Sequence, residues 1–279
     1  MQLCKVQRPD GHISPALIES GQVTLLPTAT LAELLYAPDP AAAVRMLLPH
    51  AASPQPLSEF ELVAPVDAQE VWAAGVTYKR SQEARERESE GAGRFYDLVY
   101  TADRPELFFK ATARRVVGPN GGVRIRKDSN WSVPEPELAL VVAPDLRIVG
   151  YTIGNDMSSR DIEGANPLYL PQAKIYAQSC AVGPVVTLAD AMPHREAITI
   201  SMRIERDERL AFEGHTPLTR MNRTPESLVA WLGRDNEFPD GVVLLTGTGI
   251  IPPDDFTLQP GDRIRIAISG IGELVNTVL

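Results

Sequence analysis

Glu135-Pro136-Glu137-Leu138-Ala139-Leu140-Val141-Val142 is followed by Ala143-Pro144-Asp145-Leu146-Arg147 and then by Ile148-Val149-Gly150-Tyr151-Thr152-Ile153-Gly154-Asn155-Asp156. Two apolar runs of strand length flank a short Pro/Asp turn, which predicts a β-hairpin. Side chains at i and i+2 of a strand share a face, so Glu135 and Glu137 present two carboxylates together. Asp156 follows Glu137 by 19 residues and falls just past the end of the second strand, at the same edge. Taken singly, Glu-x-Glu reads as a solvated strand start and Gly-Asn-Asp as turn chemistry. Together they are three like charges that must stay in solvent, take up a proton or share a cation. An oxygen-only donor set suits Mg²⁺, Mn²⁺ or Ca²⁺, and the lack of His or Cys in these motifs argues against zinc.

Outward from this hairpin the chain is strand-rich. Val71–Val76, Leu107–Phe109, Val123–Ile125, Ala181–Leu188, Ile198–Ile204, Gly241–Leu245 and Arg263–Ile268 all read as strands, and Thr224–Leu232 is the clearest helix. Before them, His12–Pro27 alternates around Gly21 like a hairpin, and Thr28–Leu48 reads as two short helices broken by Pro38 and Pro40. The Pro-rich Ala51–Pro56 suits a linker, so the expected division is a small α+β unit over 1–65 and a larger β-rich unit over 66–279. The fold class is α+β and β-rich, a barrel or roll rather than a doubly wound sheet. Tyr78–Glu90 is charged and helix-compatible, and Gly91-Ala92-Gly93 precedes an aromatic loop over Arg94–Pro105. It reads either as a solvated surface helix or as a cover over a site.

The chain has 279 residues, is 44% hydrophobic and 23% charged, and carries a net charge of −9. That composition describes an ordinary globular protein. No apolar run is long enough to span a membrane, and Met1–Asp10 has no signal-peptide core, so a cytoplasmic protein is expected. The acidic balance disfavours nucleic acid and means that an anionic substrate needs a cation or local positive side chains. Cys4 and Cys180 are too few for a disulfide framework or a structural zinc site. Lys occurs only at 5, 79, 110, 127 and 174, the rest of the 27 basic residues being Arg. A lysine within a polar motif is therefore conspicuous. Lys174, 18 residues after Asp156, reads as a surface residue or as a cation beside the metal, able to act as a base if its pKa is lowered. Thr246-Gly247-Thr248-Gly249 after a strand lets backbone N–H groups and a hydroxyl approach an anion, though such turns are common.

The ordered set of Gly75-Val76-Thr77-Tyr78, Phe109-Lys110, Glu135-x-Glu137, Gly154-Asn155-Asp156-x-Ser158-x-Arg160-Asp161, Lys174, Gly183-Pro184 and Thr246-Gly247-Thr248 resembles the fumarylacetoacetate hydrolase superfamily over roughly residues 70 to 279. The resemblance implies a mixed β-sandwich roll with a small N-terminal α+β domain, and a homodimer or higher homo-oligomer. It implies Glu135, Glu137 and Asp156 as ligands of Mg²⁺ or a related ion. Lys174 becomes the active-site lysine and Thr248 the anchor of a substrate carboxylate, with Gly247, Tyr78, Ser81 and Arg160 also around the substrate. Hydrolases of the superfamily carry a water-activating His where this chain has Ser81, and all four histidines lie outside the matched motifs.

That departure, with Thr246-Gly247-Thr248-Gly249-Ile250 and Arg104-Pro105-Glu106-Leu107-Phe108-Phe109-Lys110, looks like the 2-keto-3-deoxy-pentonate dehydratase branch. The implied reaction removes water from a 2-keto-3-deoxy sugar acid to give 2,5-dioxopentanoate. The 2-keto acid chelates the metal, loses a C3 proton to form an enolate and expels the C4 hydroxyl. Lys174 is expected as C3 base or electrostatic helper, and Glu88 or Ser89 as the group protonating the hydroxyl. The alternatives are an acylpyruvate-type C–C hydrolase, an oxaloacetate decarboxylase or isomerase of the same superfamily, and a non-catalytic 2-keto-acid-binding protein.

Overall fold

The computed structural model describes residues 1–79 and 98–279. Its longer strands are β1 (Gln2–Gln7), β2 (Ile13–Glu19), β3 (Gln22–Leu25), β4 (Glu70–Gly75), β5 (Glu106–Ala111), β6 (Pro136–Val142), β7 (Ile148–Asp156), β8 (Cys180–Leu188), β9 (Thr199–Arg206), β10 (Arg209–Pro217), β11 (Val242–Leu245), β12 (Arg263–Ile268) and β13 (Gly272–Val278). Short helices α1 (Leu31–Leu35), α2 (Pro40–Leu47), α3 (Arg160–Ala165), α4 (Leu170–Lys174) and α5 (Pro225–Leu232) punctuate them. Among the described residues one large sheet runs in the order β3-β2-β1-β8-β7-β6-β11-β4-β5, and a smaller one runs β10-β9-β12-β13.

The two sheets pack face to face. Leu138, Leu140, Ile153 and Val185 from the large sheet meet Ile200, Met202, Ile264, Ile266 and Leu274 from the small one in a single buried cluster. The opposite face of the large sheet is covered as well. Val141, Val186 and Leu188 bury α1 and α2 through Leu31, Leu35 and Val44. Strands covered on both faces have no need to alternate, and every residue of β6 and β8 is buried. The fold is thus β-rich, as the strand count predicts, and its two packed sheets form the sandwich that the resemblance implies.

The hairpin at the centre forms as expected, with Glu137 opposite Gly154 and the turn at Ala143–Arg147. The helix at 224 begins on Thr224, whose side chain accepts the Ser227 N–H. Three expectations need correction. β1, β10 and β13 are strands that the patterning does not single out. β10 is an edge strand with most side chains in solvent, so it carries little apolar signal. The strand at Val123–Ile125 shrinks to Gly122–Val123, because Arg124 already leaves the ladder. Residues 98–101, read as loop, are helical. Across the division expected at residue 65, β1 pairs antiparallel with β8 at Gln2–Thr187, and Cys4 and Val6 belong to the cluster between the sheets.

Most of the helix expected over Tyr78–Glu90, including Ser81, Glu88 and Ser89, lies outside the described residues. No described helix is long and apolar enough to cross a membrane. Cys4 and Cys180 are buried free thiols, and burial pushes both to about 12.

Candidate metal centre and active site

The site is built where β6 begins and β7 ends. The Asp156 N–H donates to the Glu135 carbonyl at 3.0 Å, and Glu137 sits opposite Gly154. Main-chain pairing thus sets the spacing of the three acids. One oxygen from each of Glu135, Glu137 and Asp156 lies within 4.8 Å of the others, and all three residues are buried.

Three buried cations surround them. Lys174 Nζ, at the end of α4, donates to Glu135 Oε2 at 2.8 Å, Asp156 Oδ2 at 3.1 Å and Ser158 Oγ at 2.6 Å. Lys110, which has no exposed surface, ion-pairs Asp156 Oδ1 at 2.5 Å and donates to the Met157 and Lys174 carbonyls. Arg160 Nη1 pairs with Glu135 Oε1 at 3.0 Å. A fourth acid, Glu163 on α3, stands 4.0 Å from Lys174 Nζ. If all are ionised, four buried carboxylates face three buried cations. A divalent cation turns that deficit into a surplus of one positive charge.

Burial, with Asp156 and Glu135 as the next causes, raises the Glu137 pKa well above the ordinary carboxylate range. The Gly247 N–H donates to the same carboxylate. A buried, all-oxygen, mutually repelling trio is the donor set that a hard divalent cation requires, so the residues fit Mg²⁺. Arg160 and Lys110 orient Glu135 and Asp156 from behind, as outer partners commonly do for metal ligands.

The cavity over the trio is lined also by Val76, Glu106, Phe108, Glu163, Lys174 and Thr248. Glu106 and Glu163 face a neighbouring cleft as well, walled by Val99, Pro105, Pro167 and Leu170. Two features of the backbone shape this cavity. Val76 adopts φ +52°, a conformation that costs a β-branched residue about 1–3 kcal/mol and clusters at functional sites. Gly247 has φ +89°, and a Cβ there would meet Thr77 Oγ1 and the Ala74 carbonyl.

The expected site residues therefore separate. Glu135, Glu137, Asp156, Lys174, Gly247 and Thr248 come together around one cavity. Three residues expected around the substrate have protein contacts or surroundings of their own. Arg160 does not line the cavity; it is committed to Glu135. Tyr78 is buried against Gly249 with no hydrogen-bond partner for its hydroxyl among the described residues. The Gly247 N–H donates to the Glu137 carboxylate. The Thr248 hydroxyl exchanges hydrogen bonds with the Ile250 backbone at 3.2 Å. Ser81, Glu88 and Ser89 lie outside the described residues.

Three contributors receive no role in the sequence reading, although Lys110 and Glu106 fall within motifs quoted for the resemblance. Lys110 is a charge inside the apolar strand Leu107-Phe108-Phe109-Lys110-Ala111 and one of only five lysines, which is a usable signal. Glu163 lies three residues after Arg160, on one face of a helix. Glu106 opens β5 within the quoted Arg104–Lys110 stretch, but nothing in that stretch sets it apart as a site carboxylate.

The fold and the site define a class. A fumarylacetoacetate hydrolase C-terminal domain matches residues 70–279, and the chain belongs to that family. It is 50% identical to a protein of Haloferax volcanii named a probable 2-keto-3-deoxyxylonate dehydratase, over 77% of this chain and 73% of the relative. It is 43% identical to the 2-dehydro-3-deoxy-D-arabinonate dehydratase of Saccharolobus solfataricus, over 80% of this chain and 76% of the relative. Among solved structures, a 2-keto-3-deoxy-D-arabinonate dehydratase complexed with magnesium and 2,5-dioxopentanoate is similar with a TM-score of 0.88 and 35% identity. That match covers 100% of this chain and 98% of the other.

Proposed function

We propose that this chain is a Mg²⁺-dependent dehydratase that converts a 2-keto-3-deoxy-pentonate to 2,5-dioxopentanoate, acting as a cytoplasmic homo-oligomer. The observation that carries the reading is the cavity itself: a buried carboxylate trio with further carboxylates and a lysine over it, and no histidine in its lining among the described residues. Hydrolysis of a carbon–carbon bond needs a base to activate water, and imidazole is the usual one near neutral pH. Elimination needs only proton transfers on the substrate, for which carboxylates suffice. The names carried by the relatives at 43% and 50% identity support the same choice.

A divalent cation held by Glu135, Glu137 and Asp156 supplies a Lewis acid for the carboxylate and keto oxygens of the substrate. Lys174 is hydrogen-bonded to two carboxylates and a hydroxyl, the setting of a protonated amine. It therefore serves as a fixed positive charge for the keto oxygen as the C3 proton leaves, rather than as the base. Among the described residues, Glu106 and Glu163 are the lining carboxylates outside the trio. Glu106 takes the C3 proton, and a protonated carboxyl on the same side delivers a proton to the departing C4 hydroxyl. Thr248 anchors the substrate carboxylate by rotating its hydroxyl away from Ile250.

Exhaustive chelation followed by re-addition of metal tests the reading. Turnover of a 2-keto-3-deoxy-pentonate should vanish with EDTA and return with Mg²⁺ or Mn²⁺. Undiminished turnover in the chelated protein would remove the trio from the mechanism.

A further inference from the structure

We propose that Gly75 is a positioning residue for the Glu106 carboxylate, holding it over the carboxylate trio by leaving empty the volume that any other side chain would fill. The inference rests on the dehydratase reading, in which Glu106 moves protons. Gly75 ends β4 and is the direct cross-strand partner of Glu106, the first residue of β5. Directly opposed residues in an antiparallel pair normally keep their side chains side by side, about 4.5–5.5 Å apart. Here the arrangement differs: Glu106 folds back across its partner, so that a Cβ on Gly75 would lie 2.0 Å from Glu106 Oε2 and 2.6 Å from its Cδ. Both residues line the cavity that holds Glu135, Glu137, Asp156 and Lys174.

The reason for glycine is therefore not backbone freedom. Gly75 is absent from the positive-φ residues, while the next residue, Val76, takes the left-handed turn. Alanine suits the Gly75 backbone, and the atoms it strikes first are the far end of a flexible side chain rather than main chain. The strand can keep its place while the carboxylate moves. Displacement of a reacting group by about 1 Å costs on the order of 100-fold in rate.

Gly75→Ala is thus expected to fold with unchanged Mg²⁺ affinity and to turn over a 2-keto-3-deoxy-pentonate about 100-fold more slowly. Glu106→Asp retracts the carboxylate by one bond, about 1.5 Å, and vacates the clash. Alone it should slow the enzyme; combined with Gly75→Ala it should be faster than Gly75→Ala. That reversal of sign is a result that general loosening of the strand does not produce.

The readouts are kcat for the four proteins, Mg²⁺ affinity by calorimetry and thermal melting. Full activity of Gly75→Ala, failure of that variant to fold, or a Glu106→Asp change that slows both backgrounds alike would each overturn the inference. Wild-type protein without turnover would instead overturn the dehydratase reading, and the inference with it.

Discussion

Glu137→Gln is expected to leave the fold intact and to weaken Mg²⁺ binding by on the order of 100-fold, with turnover lowered about 1,000-fold. The side chains are isosteric, and the amide oxygen can still accept the Gly247 N–H. What disappears is one of three charges at the centre of the trio. The apo proteins should respond to pH in a definite direction. Burial raises the Glu137 pKa in the folded chain above its unfolded value, so ionising it costs stability as pH rises through that raised value. The Gln variant escapes that cost, and its stability advantage over metal-free wild type should widen with rising pH. Metal requires the ionised form, so wild-type Mg²⁺ affinity should fall as pH falls, with protons released on binding. Calorimetric titrations across a pH series check both points. Equal Mg²⁺ affinity for the two proteins would remove Glu137 from the coordination sphere.

The second large effect concerns stability. Lys110→Met keeps the length of the side chain and removes its charge. It leaves Asp156 without one of its two buried cations and takes a donor from the Met157 and Lys174 carbonyls. Breaking a buried pair by deleting one partner costs about 3–5 kcal/mol, because the surviving charge stays uncompensated. For a chain of this size that loss lowers Tm by roughly 10 °C. Saturating Mg²⁺ should recover part of it, since a ligand that binds only the folded state stabilises it and a cation again neighbours Asp156. Thermal melts with and without Mg²⁺ measure both shifts. A Tm equal to wild type in the absence of metal would contradict the account of Lys110 as the buried counter-charge.

What could be read in the sequence follows a physical division. The hairpin of β6 and β7 is buried on both faces and short in connection, so its apolar runs and its turn are local signals. Strand periodicity alone places Glu135 and Glu137 together, and the length of the turn adds Asp156. β1 pairs on one side with its neighbour β2, but its place within the large sheet is set by β8 on the other side, far along the chain. β10 is hidden for the opposite reason: an exposed edge needs few apolar residues. The supporting charges are the least visible. The bond from Arg160 to Glu135 joins residues 25 positions apart, and no local pattern announces it. Glu106 acquires meaning only when β5 is laid beside β4 and its carboxylate is seen folded over a glycine.

The measurement that bears most directly on the central claim is the identity of the product. Purified protein with Mg²⁺ and 2-keto-3-deoxy-D-arabinonate, or its C4 epimer, followed by NMR, should give 2,5-dioxopentanoate with every carbon of the substrate retained. Cleavage of an acylpyruvate into two fragments, with neither pentonate consumed, would contradict the account and assign the site to hydrolysis.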